Sequence, residues 1–236
     1  MAARAQGATR KAEVRGEPGE TTRARLLEAA AEVFAEAGYQ QAKIRQICAR
    51  AHANIALINY HFGDKMGLYT EVLQQSVRSG HVDLIQDVLD HGGPPEDILR
   101  GIIKARIHGM RAGSVSDRQF RIALQELAHP TAAFTRVIEN VTRPIYNRIL
   151  ELIGGMIGLP PTNEKTRLCA HSIMGQIMIY VLAGRVLRQL WPELKMAPGQ
   201  LDRIADHIAD FTLAYLRQTR AKRPGASPRQ NGRARK

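Results

Sequence analysis

The sequence predicts an all-α protein with a small N-terminal three-helix domain followed by a larger helical domain. Hydrophobic residues make up 44% of the 236-residue chain, but aromatic residues only 5%, and long β-branched runs are few. Apolar residues recur at the three- and four-residue spacing of amphipathic helices along most of the chain. Glycine- and proline-rich segments separate these stretches at intervals typical of helix ends.

Several classes of protein are not indicated by this sequence. No window approaches the roughly 18 uninterrupted apolar residues of a membrane span, and residues 1–20 lack an apolar signal core, so we expect a cytoplasmic protein. Cys48 and Cys169 match no metal-ligand or disulfide spacing and are expected to be buried thiols. With no histidine pair, phosphate loop, dinucleotide fingerprint or nucleophile elbow, we predict no metal, no cofactor and no enzyme activity.

The net charge of +12 is distributed unevenly along the chain. Residues 1–20, 21–70 and 71–216 carry +1, +2 and +1, whereas residues 217–236 carry +8 with no acidic residue. Such a tail can add salt-dependent, sequence-independent affinity for nucleic acid. An equally weighted alternative is a solvated end that only improves solubility.

The N-terminal region contains three predicted helices. Residues 1–20 lack hydrophobic periodicity and are expected to form a mobile arm, after which Thr21 or Thr22 caps a helix that ends at Gly38. The second helix starts near Lys43 and ends in a turn over residues 51–53.

The third helix, from about residue 54 to residue 62, has an unusual outer surface. Asn54 is a good N-cap, and Ile58 and Phe62 are expected to face the core at i and i+4. The side chains left for the outer surface and its edges are those of Ile55, Ala56, Asn59, Tyr60 and His61.

Glycine and proline residues mark the breaks between the remaining predicted helices. Gly63 and Asp64 separate the third helix from a long predicted helix over residues 65–90, which ends at the His91 to Pro95 break. Further helices are predicted at 95–111, 117–128, 131–157, 163–191 and 200–219. Pro144 predicts a kink or a boundary within residues 131–157.

The third helix has the side chains that a DNA major groove requires. A groove about 12 Å wide admits one helix, whose polar side chains read base edges while cations and helix N-termini hold phosphates. Asn59 and His61 could reach bases, and Tyr60 could contact a phosphate or a thymine methyl, although it could instead pack against the first helix. Arg45 and Lys65 flank the helix as phosphate contacts.

Residues 22–70 closely resemble the DNA-binding domain of the TetR family of bacterial regulators. The string N-I-A-L-I-N-Y-H-F-G-D-K-M-G-L-Y, from Asn54 to Tyr69, resembles the CecR-like subgroup in particular. The resemblance implies DNA contacts at Lys43, Arg45, Asn54, Ile55, Ala56, Asn59, Tyr60, His61 and Lys65. Lys43 in place of a capping Ser or Thr, His52 in place of a turn glycine and Asn59 in place of Tyr depart from the pattern and suggest a different operator.

The resemblance also implies that the larger helical domain binds an effector and forms a homodimer. Polar and flexible side chains within its apolar helical patterns are candidates for the effector pocket, although most such residues belong to a core: His108, Met110, Phe120, Gln125, His171, Met174, Gln176 and Met178. The helices at 163–191 and 200–219 resemble the pair that forms the dimer interface in this family. Small residues of the first of these helices are candidates for close approach there: Ala170, Gly175, Ala183 and Gly184.

The combined interpretation is a ligand-responsive, homodimeric transcriptional repressor that binds a palindromic operator and is released by a small molecule. The expected organisation is an arm (1–20), a helix-turn-helix DNA-binding domain (21–67), an effector-binding and dimerisation domain (68–219) and a disordered basic tail (220–236). The alternative is a non-specific or architectural DNA-binding protein that depends on the tail.

Overall fold

The computed structural model describes residues 18–78, 82–109 and 117–221, and all regular structure in these segments is helical. The helices are α1 (Pro18–Gln41), α2 (Ile44–Ala51), α3 (Ile55–Phe62), α4 (Lys65–Val77), α5 (Asp83–His91), α6 (Pro95–His108), α7 (Asp117–Ala128), α8 (Ala132–Val137), α9 (Arg143–Ile157), α10 (Glu164–Leu182), α11 (Gly184–Leu190) and α12 (Pro198–Ala221). The predicted all-α class is confirmed. The described chain forms two compact units that divide between Tyr69 and Thr70.

The core of the first unit joins α1, α2, α3 and the start of α4. Leu26, Phe34 and Ile47 are fully buried, and Tyr69 lies against Phe34 with ring centroids 4.6 Å apart in an edge-to-face arrangement. Burial of each large apolar side chain contributes roughly 1.5–3 kcal/mol, which offsets the small size of this unit.

The start of α1 corrects one prediction. The helix begins at Pro18 rather than after Thr21 or Thr22, so residues 18–20 belong to the helix and not to an arm. Proline is favoured in a first helical turn because its fixed φ suits the helix and its missing N–H would have no partner there. The first and longer part of α1 ends at Gly38, as predicted, because Gly38 has φ of +73°; a short second part continues beyond this kink to Gln41.

The long helix predicted over residues 65–90 is divided into α4 and α5. α4 ends at Val77 and α5 begins at Asp83, while residues 79–81 lie outside the described segments. The predicted break after α5 is confirmed, because Gly92 and Gly93 have φ of +67° and +125°.

The core of the second unit is built from α6, α9, α10 and α12. Leu99 and Ile103 of α6 pack with Ile153 of α9, Ile173 of α10 and Leu201 of α12. Cys169 lies in this core and Cys48 in that of the first unit, which confirms that both thiols are buried. Burial raises the pKa of each thiol.

A ladder of exposed charges runs along one edge of α6 and α12. Arg217 donates to Glu96 with Nε–Oε1 of 2.9 Å, and Arg100 pairs with Asp210. Further along, Lys104 Nζ lies 3.1 Å from Asp206 and His108 Nε2 lies 2.8 Å from Asp202. Exposed pairs contribute little individually, but their alternation along two antiparallel helices favours one register.

Pro144 marks a helix irregularity, as predicted. The predicted 131–157 helix is α8, then a π-helical turn over Ile138–Thr142, then α9 with Pro144 in its first turn. Proline has no N–H to donate to the preceding turn, and a π-turn accommodates the resulting irregularity.

The predicted helix over residues 163–191 also has two parts. Asn163 caps α10 through Oδ1, which accepts from the Lys165 N–H at 2.9 Å, and the chain bends by 72° between α10 and α11. Within the described segments no single helix is long and apolar enough to span a membrane; α10 and α11 meet that length and composition test only when joined across the bend.

Candidate nucleic-acid interface

The turn between α2 and α3 has local interactions that fix the direction of α3. The Asn54 Oδ1 accepts from the Leu57 N–H at 3.0 Å, the N-cap interaction expected from the sequence. Lys43 does not cap α2 with its side chain; instead the Gln46 Oε1 accepts from the Lys43 N–H at 3.2 Å. This bond is half of a capping box, with glutamine supplying the acceptor.

His52 adopts the left-handed conformation that the turn requires. Its φ and ψ are +49° and +48°, and the next N–H, that of Ala53, donates to the Cys48 carbonyl at 3.0 Å. Histidine is enriched among the non-glycine residues that adopt this conformation, but glycine adopts it at lower cost. The departure from the family's turn glycine therefore changes the residue and keeps the backbone shape.

α3 has a sharp division between buried and exposed sides. Ile58 and Phe62 are buried, as predicted, whereas Tyr60 is 82% exposed and Ile55 is 45% exposed. Ala56 and Asn59 are exposed beside them, and His61 is partly exposed with its ring 4.9 Å from that of Tyr60. Because Tyr60 is so exposed, the alternative that it packs against α1 is excluded.

The predicted flanking cations are in different environments. Lys43 and Arg45 are exposed near the start of α2. Lys65 is partly buried: its Nζ donates to the Gln40 carbonyl at 3.3 Å and lies 4.6 Å from the centre of the Tyr39 ring. Burial lowers the pKa of Lys65. Its ammonium group therefore joins the end of α1 to the start of α4, a structural role that its sequence position did not indicate.

The corner between α3 and α4 depends on a backbone contact that sequence reasoning missed. Gly63 has φ of +78°, and the Asp64 Oδ1 accepts from the Gly67 N–H at 2.7 Å. A Cβ on Gly67 would lie 2.0 Å from the Phe62 carbonyl oxygen, which is far inside contact distance. A glycine three residues after a helix cap is the only signal in the sequence, and it is weak.

Arg50 also had no role assigned from the sequence. Its guanidinium binds Glu36 through both terminal nitrogens, at 3.1 and 3.2 Å, and reaches Glu32 at 3.4 Å. These charge-assisted bonds join α2 to α1 and raise the pKa of Arg50. The guanidinium of Arg50 is therefore already bound by glutamates of α1.

The described residues among those predicted for an effector pocket have separate contacts. His108 pairs with Asp202 on an exposed edge, His171 Nε2 lies 3.0 Å from the Tyr146 hydroxyl, and Met178 contacts Arg106. Met174 is 45% exposed, Gln176 lies beside a surface groove and Gln125 is partly buried. Met110 and the Phe120 side chain lie outside the described parts. Helical periodicity placed these residues near apolar faces but did not show which face each one shares.

The residues predicted for a dimer interface differ in exposure, and one of them is buried. Ala170 is buried in the core, so it has little surface left for a second copy. Gly175 is exposed with open space around it, and Ala183 and Gly184 are partly exposed near the bend. The apolar surface lies elsewhere on α10 and α12: Leu168 is 56% exposed and Phe211 64%, beside a groove of about 610 Å³.

Comparisons with known proteins agree with this geometry. The family of bacterial regulatory proteins of the TetR type matches residues 26–72. The C-terminal domain of the HTH-type transcriptional dual regulator CecR matches residues 95–216, more than half of the chain.

Two relatives are similar in sequence. The HTH-type transcriptional dual regulator CecR of Shigella flexneri is 28% identical over 73% of this chain and 82% of its own length. The HTH-type transcriptional repressor NicS of Pseudomonas putida is 35% identical over 40% of this chain and 44% of its own length.

Solved structures share the fold at lower identity. A transcriptional regulator from Pseudomonas aeruginosa PAO1 has a TM-score of 0.63 at 22% identity, covering 86% of this chain and 95% of its own. The regulator FadR from Bacillus subtilis, solved in complex with stearoyl-CoA, has a TM-score of 0.59 at 16% identity, covering 81% and 97%. The chain therefore belongs to the TetR family of DNA-binding transcriptional regulators and has the C-terminal domain of its CecR-like members.

Proposed function

We propose that this TetR-family regulator is a homodimeric repressor that reads a palindromic operator with α3 and is released by a small-molecule effector. The observation that carries the proposal is the outer face of α3, where Asn59 and Tyr60 are exposed although Ile58 and Phe62 of the same helix are buried. A helix of this kind, about 10–12 Å across with its side chains, fits a major groove about 12 Å wide.

The proposed division of roles follows from exposure. Asn59 and His61 are the base-reading side chains, and Tyr60, Ile55 and Ala56 complete the surface that enters the groove. Lys43 and Arg45, at the start of α2, and the N-terminus of α3 capped by Asn54 hold phosphates. Lys65 contributes less, because its ammonium group already contacts Gln40 and Tyr39.

Dimerisation is proposed because one α3 helix contacts too few bases for a specific site. Two copies related by a twofold axis would read half-sites about 34–36 Å apart. The exposed apolar side chains of Leu168, Phe211 and Tyr215 on α10 and α12 supply a surface that a second copy would cover. The repressor name of NicS supports repression, and the dual-regulator name of CecR leaves activation at some targets as a second outcome.

Effector release is proposed for the second unit. FadR, which shares the fold, was solved in complex with stearoyl-CoA, and this supports a small-molecule site in a chain of this fold. A ligand that binds one conformation more tightly lowers operator affinity by its differential affinity for the two states.

The experiment is a titration of purified protein against duplexes selected from its own genome by immunoprecipitation. A palindromic site should bind at least tenfold more tightly than its scrambled counterpart at physiological salt. Asn59→Ala and His61→Ala should each cost about 1–3 kcal/mol and relax preference at particular base pairs. Equal affinity for the site and the scrambled duplex would contradict the proposal.

A matched variant separates base reading from phosphate contact. Lys43→Ala should weaken binding to every duplex equally and lower the salt slope by about 1. Removing residues 222–236 tests the architectural alternative: a specific regulator keeps its preference for the palindrome, while a tail-driven protein loses most of its affinity.

Dimerisation is tested by charge insertion at the apolar surface. Phe211→Glu should convert the dimer to a monomer in light scattering and abolish cooperative operator binding. Leu84→Glu on α5 is the control, because Leu84 is 49% exposed and lies outside the α10 and α12 surface. A dimer that survives Phe211→Glu would place the interface elsewhere.

A further inference from the structure

Arg106 differs from the other cations of α6. Arg100, Lys104 and His108 each reach an aspartate of α12 and belong to the exposed ladder. Arg106 lies two residues from Lys104, about 200° around the helix, and faces α10 instead.

The described surroundings of Arg106 provide no counter-charge. Its Nη2 donates to the Met178 Sδ at 3.9 Å, and no carboxylate of the described residues pairs with it. A thioether is a weak acceptor, whereas a guanidinium has five N–H donors arranged for a planar oxyanion. Burial lowers the pKa of Arg106 to about 10, so the group remains charged at neutral pH.

A partly buried charge without a partner costs folding free energy, because water has been removed and nothing replaces it. Ile102, one turn before Arg106 on the same side of α6, is a buried apolar side chain, so this side of the helix is suited to an apolar ligand body rather than to water. One positive charge is neutralised by one negative charge, which favours a monoanion over a dianionic phosphate.

We propose that Arg106 is the effector-recognition residue of the second unit and binds the carboxylate of a small organic monoanion with an apolar body. This inference rests on the proposed effector response and names the chemical class of the effector. Met178 lies against the guanidinium in the free protein and would be displaced from it or would contact the apolar body when a carboxylate binds.

The test measures thermal stability of the full chain without DNA, at constant ionic strength. Monocarboxylates from acetate to hexanoate, together with benzoate, are each compared with the corresponding neutral amide. We expect the larger carboxylates to raise the wild-type melting temperature by several degrees more than their amides do. We expect Arg106→Met to remove that difference and Arg203→Met, which removes an exposed cation of α12, to retain it.

A second measurement distinguishes recognition from a structural role. Without ligand, Arg106→Met should melt at a temperature equal to or above that of the wild type, because it removes an uncompensated charge. A structural ion pair would give a lower melting temperature. Arg106→Lys should lose most of the carboxylate effect, because an ammonium group lacks the planar fork.

Three results would overturn the proposal: no carboxylate stabilising the wild type beyond its amide, an equal carboxylate effect in Arg106→Met, or stabilisation by hexyl phosphate alone. Operator release is then measured separately with the same carboxylates. Stabilisation without release would support carboxylate binding at Arg106 and contradict the proposed effector response, so the two failures are distinguishable.

Discussion

The polar interactions around the helix-turn-helix of the first unit and those that join α6 to α12 in the second act over different sequence distances. In the first unit, the Asn54 cap, the Gln46 bond to Lys43 and the Asp64 bond to Gly67 each join residues three apart. In the second, Glu96 pairs with Arg217, 121 residues away, and His108 with Asp202, 94 residues away. Local geometry thus fixes the proposed reading surface, and tertiary packing fixes the register of the regulatory unit.

The largest expected effect is a loss of stability in the first unit alone. Gly67→Ala would place a Cβ 2.0 Å from the Phe62 carbonyl oxygen, so the corner between α3 and α4 must open, at a cost of about 3 kcal/mol or more. Urea unfolding should show an early transition by far-UV circular dichroism. Trp191, the single tryptophan, lies in the second unit, and its fluorescence should report the same unfolding midpoint for that unit as in the wild type.

The control for that change is Gly155→Ala in α9. A Cβ there meets nothing within 4 Å, and alanine should stabilise the helix by roughly 0.5–1 kcal/mol. If the two alanines shifted unfolding in the same direction, the close approach of Gly67 would not be the determinant of the corner.

The next effect concerns the cap of α3. Asn54→Ala should lower the free energy of unfolding of the first unit by about 1 kcal/mol, because the Leu57 N–H loses its acceptor. Asn54→Ser keeps an acceptor and should stay close to wild type. If urea unfolding showed an equal loss of stability in both variants, the hydrogen bond from the Leu57 N–H to the cap would not be the cause of that loss.

A smaller effect is expected at His52 and Met196, the two non-glycine residues of the described chain that adopt the left-handed backbone conformation, one in each unit. His52→Gly should stabilise the first unit by about 0.5–1 kcal/mol, because glycine adopts φ of +49° without strain. Met196 has φ of +54°, but its side chain packs on the second core, so Met196→Gly should give no net gain. Melting temperatures of both variants measure this contrast, and a gain at Met196 would contradict it.

The smallest effect concerns the exposed ladder and its dependence on pH. Hydrogen bonding from Arg217, reinforced by its charge and that of Arg100, lowers the pKa of Glu96 from its ordinary value near 4.5. The folded pKa is the lower one, so the stabilisation is present above pH 4.5 and is lost as the pH falls through the folded pKa. Glu96→Gln should therefore differ slightly from wild type at neutral pH and converge with it in acid.

Glu151→Gln, a change at an exposed glutamate of α9, is the matched control for Glu96→Gln and should show no such convergence. If the difference in stability between wild type and Glu96→Gln stayed constant from neutral to acidic pH, the ion pair of Glu96 with Arg217 would not be its cause. Urea midpoints measured across this pH range provide the test.

The local character of the first unit explains why its site was predictable. Asn54 as a cap, Ile58 and Phe62 as core residues and Gly38 as a helix end follow from spacing and conformational preference, and each is confirmed by geometry. The start of α1 was misplaced because Thr21 is a good cap but Pro18 is an equally good first-turn residue. Gly67 was missed because a close backbone approach is a three-dimensional property.

The second unit was predictable only in its elements. Periodicity and the proline breaks located most of its helices, but side chains of similar character fall on different faces. His108, His171 and Met178 were grouped because each interrupts or extends an apolar pattern, yet their contacts are with three different helices. Arg106 was passed over because a cation in a helix is ordinary until its neighbours are known.

The contact between Phe62 and Gly67 has a consequence for how new operator preferences can arise. Because the backbones meet there, the direction of α3 is set by main-chain atoms and a missing side chain, not by the residues on its outer face. Ile55, Asn59 and Tyr60 can therefore be exchanged without rebuilding the fold beneath them. The outer face of α3, which is proposed to select the operator sequence, can therefore change without loss of stability, whereas the corner between α3 and α4 cannot.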